Sequence, residues 1–294
     1  MEHTTPVRMT ASRATGVQPR PLRWWTTRIV TYTLLILFLA VFLVPFLWLA
    51  SLALKTQAEF ADNPFGLPVN PQWSNFEEVW TNGRYNTYLP NTILYAVTVV
   101  IGVCAFACLT GYALAKIRFP GRQFIFLFLL FGITVPFQSR MIPLFYLTRD
   151  LGILGRREGY IIPSIALGLP FGVFLMRAFF SSIPDELADA ARVDGCTQWG
   201  VFRWVMLPLA GPGLTTLAVF QFLFTWTAFL PPLVLLQRDA LRPVALALLF
   251  FTDRQGANLP LVATGTIITI LPVILAYLVL QRKFIEGITA GALK

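Results

Sequence analysis

Between Ser182 and Pro212 the chain carries its densest set of residues able to make specific contacts. The run Ile183-Pro-Asp-Glu-Leu-Ala-Asp-Ala-Ala-Arg-Val-Asp-Gly195 reads as a short helix. Pro184 suits its first turn, and Asp185 and Glu186 complement the positive end of its dipole. Ser182, followed three residues later by Asp185, reads as an N-cap with a capping box. Ile183, Leu187, Ala190 and Ala191 fall on one face, whereas Asp185, Asp189 and Arg192 point elsewhere. Asp194-Gly195 ends the helix, because glycine accepts the left-handed exit conformation. The pair serves either as a plain helix stop or as a contact in its own right. A second short helix follows, with Trp199, Phe202, Arg203 and Met206 at helical spacing and Pro208 and Pro212 at its end. Such a pair does recognition, not catalysis. Its small alanine-rich face, backed by acids, fits a groove on a protein better than an anionic lipid surface.

The other polar residues of interest lie inside apolar runs. Gln221 and Thr225 are one helical turn apart and share a face, with Trp226 beside them. They either line a solute pathway or hydrogen-bond a neighbouring helix. Arg140 sits beside Gln138 and Ser139, bracketed by Pro136 and Pro143, which suggests a broken helix near an interface. There it is either functional or a snorkelling charge. No Asp, Glu or His lies in mid-run, which argues against a proton relay or an intramembrane hydrolase. His3 is the sole histidine, and Cys104, Cys108 and Cys196 form no framework, so a zinc or haem site is not expected. Gly287-Ile-Thr-Ala-Gly291-Ala-Leu-Lys294 lacks the spacing of a phosphate loop. The chain is therefore expected to have no catalytic residues and no cofactor of its own.

The elements that hold these residues follow from composition. Of 294 residues, 56% are hydrophobic and 13% charged, against about 25% charged in soluble domains. That excludes an ordinary soluble enzyme, a disordered chain and a disulfide scaffold. The net charge of +9 points to a membrane protein with one basic side, not to nucleic acid. A bilayer crossing takes about 20 apolar residues. Six runs qualify: Ile29–Leu54, Leu89–Ala115, Phe124–Leu147, Tyr160–Phe180, Leu209–Leu236 and Leu259–Leu280. Trp24 and Trp25 read as interface anchors of the first. With the N-terminus in the cytoplasm, the inner segments hold 14 basic residues and the outer ones 8, so both termini are expected inside. Residues 1–28 read as a disordered tail, 29–88 as the first span with a long outer loop, and 89–280 as the core. Residues 281–294 read as a cytoplasmic tail. Ala107, Gly111 and Ala115 favour close helix packing in the second span.

Glu186-Leu-x-x-Ala-Ala-Arg-x-Asp194-Gly195, with Phe202 and Leu207-Pro-Leu-x-x-Pro212 downstream, resembles the cytoplasmic EAA signature of ABC-importer permease subunits. Asp189 stands where that family often has Glu, and Cys196 where it often has Ala. Ser51-Leu-Ala-Leu-Lys-Thr56, Gly111-Tyr-Ala-Leu-Ala-Lys-Ile-Arg-Phe-Pro-Gly121, Ile142-Pro-Leu-Phe-Tyr146, Leu169-Pro-Phe171 and the tail from Gln281 are similar to sugar-importer permeases of the maltose-system type. Trp226-Thr-Ala-Phe229 departs from that group's Trp-Asn-Glu-Phe. The resemblance implies an all-α integral membrane protein with six transmembrane helices, the type I ABC importer permease fold, and coupling helices over 182–206. It implies a second permease subunit, two ATP-binding subunits that hold ATP and Mg, and an extracytoplasmic solute-binding protein as partners, in a prokaryotic inner membrane. Glu186, Leu187, Ala190, Ala191, Asp194 and Gly195 would then meet the ATPase, with Leu187, Ala190 and Ala191 facing its cleft. Gln221, Thr225, Trp226 and Arg140 are the candidates for the pathway of a carbohydrate. A glycerol phosphate or other polyol fits the same motifs. The readings from other classes are a stand-alone carrier or channel and an interaction-only scaffold.

Overall fold

The computed structural model describes residues 22–253 and 256–292, almost all of them helical. The basic tail before Leu22 lies outside the described residues, as do the side chains of Trp24, Trp25 and everything from Val279 on. The chain divides into two compact units, one ending at Trp48 and the other starting at Leu49. Helix α1 (Leu22–Ala53) begins earlier than the expected first span, and its side chains from Ile29 to Val44 are exposed. Short helices α2 (Gln57–Asp62) and α3 (Ser74–Asn82) follow, then α4 (Tyr85–Lys116), α5 (Arg122–Thr134), α6 (Phe137–Asp150) and α7 (Glu158–Ser182). The remaining elements are α8 (Asp185–Val193), α9 (Gln198–Gly200), a π-helical stretch (Val201–Met206), α10 (Leu207–Leu209), α11 (Gly211–Trp226), α12 (Leu230–Leu235) and α13 (Leu259–Ala292). Two 3₁₀ segments, Asp239–Leu241 and Val244–Phe251, and a two-residue antiparallel pairing of Thr252–Asp253 with Gly256–Ala257 join α12 to α13.

Among the described residues four helices are long and apolar enough to cross a membrane: Arg28–Ala53, Tyr85–Lys116, Glu158–Ser182 and Leu259–Leu278. The count reaches six if each of two bent pairs is one crossing. The expected third span, Phe124–Leu147, is one such pair. α5 and α6 meet at 103°, because Val135 is held extended ahead of Pro136 and Pro136 brings no N–H to continue a ladder. The expected fifth span, Leu209–Leu236, is also corrected. It turns by 73° at its start and breaks again at Thr227–Phe229, before α12. The final helix runs on to Ala292, past the point where a separate tail from Gln281 was expected.

The centre of the second unit is the contact of α4 with α7. A side chain does not fit between them at Gly111, where a Cβ would come within 2.8 Å of Met176 Cβ, or at Gly172, 2.9 Å from Ala107 Cβ. The expectation of close packing at Ala107 and Gly111 is met here, and backbones rather than long side chains make the seam. Around it lie Val99, Val103, Phe180, Met206 and Leu217, all buried. The hydroxyl protons inside the helices are bonded locally, which leaves their oxygens free to accept. Thr92, Thr148, Ser164, Thr216, Thr264 and Thr269 each donate to the carbonyl one turn back. In a water-free medium an unbonded hydroxyl would cost several kcal/mol.

The two ends of the bundle are tied differently. At one, Asp239 accepts from Arg84 and Tyr88, and Arg242 lies 3.4 Å away. Asn91 and Tyr95 pin the neighbouring carbonyls of Ala240 and Leu241 at 2.8 and 2.7 Å. There too the last carbonyls of α1 find donors. Ala53 accepts from Asn75 and Thr264, and Leu54 from the amide of Gln72. At the other end sits α8. If the glycine seam holds the unit together, Gly111→Leu should destabilise it by about 1–3 kcal/mol. A thermal-shift assay on the detergent-solubilised protein should show a lowered Tm. Ile101→Leu, on an exposed face of the same helix, should leave the Tm unchanged.

Candidate functional site

Helix α8 forms where the sequence places it, but it starts differently. Pro184, in an extended conformation, is its N-cap and offers no side-chain bond. Ser182 belongs to the last turn of α7 and donates to Phe179 O at 2.8 Å, so the expected capping box is absent. Asp185 is used otherwise. Lys116, at the end of α4, donates to Ile183 O and to Asp185 Oδ1, both at 2.5 Å. The lysine side chain is 6% exposed and its partner carboxylate 73%. The hydrogen bond and charge of Lys116 hold the Asp185 carboxyl below its ordinary range. This contact is the tether between the bundle and α8.

The exit is a complete Schellman motif. The Cys196 amide donates to Ala191 O at 2.9 Å and the Gly195 amide to Arg192 O at 3.0 Å, with Gly195 at φ +86°. Thr197 then caps the next helix by accepting from the Gly200 amide at 3.2 Å. That helix widens to π geometry over Val201–Met206 ahead of Pro208, whose ring would collide with the carbonyl four residues back in an α-helix. Gln198 donates to Tyr112 Oη at 2.8 Å, and the Tyr112 ring packs on Phe180 and Phe202. The two short helices are thus fastened to α4 and α7 at both of their ends.

What α8 shows to the outside differs in part from the expectation. Ala188 and Ala191 are buried against the chain's own core, so Ala191 faces inward rather than toward any cleft. The nine-residue helix is too short for one broad apolar face. Spacing of three puts 188 and 191 together toward the core, with 187, 190 and 194 along the adjoining side. Leu187 and Ala190 are exposed, as are Glu186, Asp194 and Gly195. Val193, at 88% exposure, joins them. Its apolar character ahead of the glycine turn was the signal available for it. Lys116 was visible in its motif, but nothing in the spacing tied it to a helix 69 residues on.

The second constellation lies in the bundle. A cavity of 380 Å³ opens between α6, α7 and α11, and Arg140, Gln221 and Thr225 all line it. The structure brings Arg140 together with the Gln221 and Thr225 pair. Gln221 Nε2 donates to Thr225 Oγ1 at 3.2 Å. Gln221 also lies against Gly168, where a Cβ would come within 2.7 Å of its Oε1. Tyr160, Ser164, Phe137 and Phe224 complete the polar and aromatic wall; Tyr160 and Ser164 come from α7, whereas Phe137 and Phe224 could have been found three residues from Arg140 and Gln221 on the same helix faces. Arg140 donates to Gly132 O at 3.2 Å across the α5–α6 bend. Trp226 is not in this cavity. It is 3% exposed, donates to Thr269 O at 3.0 Å and packs tilted against Phe222 with ring centroids 5.2 Å apart. The α11 periodicity turns it toward α13, one residue away from the Thr225 face. Among the described residues no group of His, Cys, Asp and Glu could hold a metal ion.

This arrangement has known counterparts. Residues 106–284 match the family of binding-protein-dependent transport system inner membrane components. The chain is 32% identical over 267 residues to the diacetylchitobiose uptake system permease protein NgcG of Streptomyces coelicolor, covering 90% of this chain and 88% of that one. It is 35% identical over 263 residues to the arabinooligosaccharides transport system permease protein AraQ of Halalkalibacterium halodurans, covering 88% and 93%. The crystal structure of a bacterial ABC transporter involved in the import of the acidic polysaccharide alginate contains a chain with TM-score 0.76 and 28% identity, covering 90% of this chain and 99% of that chain. The protein belongs to the binding-protein-dependent inner membrane component family. It is a multi-pass permease of the type I ABC importer fold, a membrane component with no enzymatic role of its own.

The tether makes its strength pH-dependent in a defined direction. Asp185 titrates below its usual range, so its bond to Lys116 is intact at neutral pH and is lost only as pH falls through that lowered value. A spin label at position 193 should keep constant mobility from neutral pH to about 4 and become more mobile below it. Lys116→Met should give the mobile spectrum at every pH.

Proposed function

We propose that this permease carries a sugar or oligosaccharide, handed over by an extracytoplasmic solute-binding protein, through a pathway that includes the cavity of Arg140, Gln221 and Thr225. Aromatic faces at Phe137 and Phe224 with hydrogen-bonding groups at Ser164, Gln221 and Thr225 suit the alternating apolar and hydroxyl surfaces of a sugar. The substrates named for the relatives above, diacetylchitobiose and arabinooligosaccharides among them, support the same substrate class. The partners in this reading are a second permease subunit and two ATP-binding subunits, which hold the ATP and Mg. Both chain termini lie in the cytoplasm, on the side of α8.

The observation that carries the mechanical part of this reading is the pose of α8. It is fixed to α4 through Lys116 and to α7 through Pro184, yet it presents Leu187, Ala190 and Val193 outward. A helix held firmly by one body and apolar toward a second transmits displacement between them. In this reading α8 sits in a cleft of an ATP-binding subunit, Asp194 and Gly195 shape its exit, and Glu186 meets backbone amides or a basic group there. Closure of the two ATP-binding subunits would then push α8, and Lys116 would pass the push to α4 and its seam with α7.

Gly195 gives the test. No atom lies within 4 Å of where its Cβ would be, so substitution acts only through the left-handed backbone, at about 1–2 kcal/mol. Gly195→Val should abolish ATP-dependent uptake in proteoliposomes while the complex still assembles. Gly195→Asn, which tolerates that conformation, should retain most of it. Full uptake by an assembled Gly195→Val complex would overturn the coupling role.

A further inference from the structure

We propose that the cavity between α6, α7 and α11 selects a saccharide that carries negative charge, with the Arg140 guanidinium as the group that reads it. This rests on the pathway assignment above and adds a substrate class to it.

The argument begins with cost. An ionised arginine within a membrane-spanning region is unfavourable unless it is paired, hydrated or drawn to the interface. Arg140 is only partly exposed and lines the cavity wall, so it does not extend freely into solvent. Among the described residues its one hydrogen bond is from Nη1 to a neutral carbonyl, Gly132 O, at 3.2 Å. Its Nε is buried with no hydrogen-bond partner. Among the described residues no carboxylate pairs with it. The ion pairs formed there involve Arg84, Lys116, Arg149, Arg192 and Arg242 instead. Nor does any acid line the cavity. The other buried polar groups in its wall are neutral, namely Gln221 at 5% and Thr225 at 6% exposure.

The site is therefore a neutral hydrogen-bonding and aromatic pocket with one unbalanced positive charge at its edge. A neutral sugar would use the pocket and leave the guanidinium without a counter-charge. A sugar bearing a carboxylate or sulfonate would satisfy both. A guanidinium is suited to this by its planar fork of donors, which binds an oxyanion through two parallel bonds. The volume of 380 Å³ admits about one to two sugar rings, so the charge would be read one unit at a time along a longer chain.

The test is equilibrium binding to the assembled complex in phosphatidylcholine nanodiscs, with trigalacturonate as the acidic probe and α-1,4-galactotriose as its neutral counterpart. The wild type should bind the acidic probe at least about tenfold more tightly at low salt, and the advantage should shrink as salt rises. Arg140→Gln should bring the two probes to equal affinity without weakening the neutral one. Arg140→Lys should keep part of the advantage, which also guards against a folding defect in the glutamine variant. Equal affinities in the wild type, an acidic advantage unchanged in Arg140→Gln, or no binding of either probe would overturn the proposal. None of these outcomes touches the importer reading, which stands or falls on ATP-dependent uptake and its loss in Gly195→Val.

Discussion

The close approach of α4 to α7 is the constraint on which both candidate sites depend. Glycine on α4 meets the backbone of α7 at 111, and glycine on α7 meets Ala107 at 172. Van der Waals contact over such a seam needs no hydrophobic effect, which a lipid medium does not supply. From the seam, α4 projects Lys116 at one end and α7 hands the chain to Pro184 and α8. One further turn along α7, Gly168 lets Gln221 of α11 lie flat against the pair. Helix α8 and the cavity wall are thus two outgrowths of one packed interface.

Much of this could be read from residue types alone. Local signals did well. The left-handed Gly195, the amphipathic α8 and the small residues of α4 each depend on a few neighbours in sequence, and each is found as expected. The break beside Arg140 followed from Pro136, although the depth of the 103° bend did not. What failed was orientation. Trp226 and Ala191 differ from their neighbours by one helical step of about 100°, and only the packing partner decides which side is inside. For Trp226 that partner is α13, and for Ala191 it is the cluster around Phe202. Neither can be seen from within its own helix. Ser182 failed for a related reason. A serine can cap the next helix or close the previous one, and here the carbonyl of Phe179 is nearer.

The electrostatics show a division of labour. Two carboxylates at the bundle ends are committed to structure, Asp185 to the tether and Asp239 to the junction of Arg84, Tyr88 and Arg242. Hydroxyls along the spans are satisfied by their own helices. Among the described residues the buried side-chain atoms left without a hydrogen-bond partner all belong to guanidinium groups, and Arg140 Nε is the one at the cavity.

The elbow at Pro136 sets how far that charge can travel. Arg140 sits one turn into α6, about 6 Å from the pivot, while the far end of the 14-residue helix lies about 21 Å from it. A swing of about 10° around the elbow would sweep Asp150 through nearly 4 Å and move Arg140 by only about 1 Å. The long arm can follow a large displacement of its surroundings while the guanidinium remains close to the hub, nearly stationary.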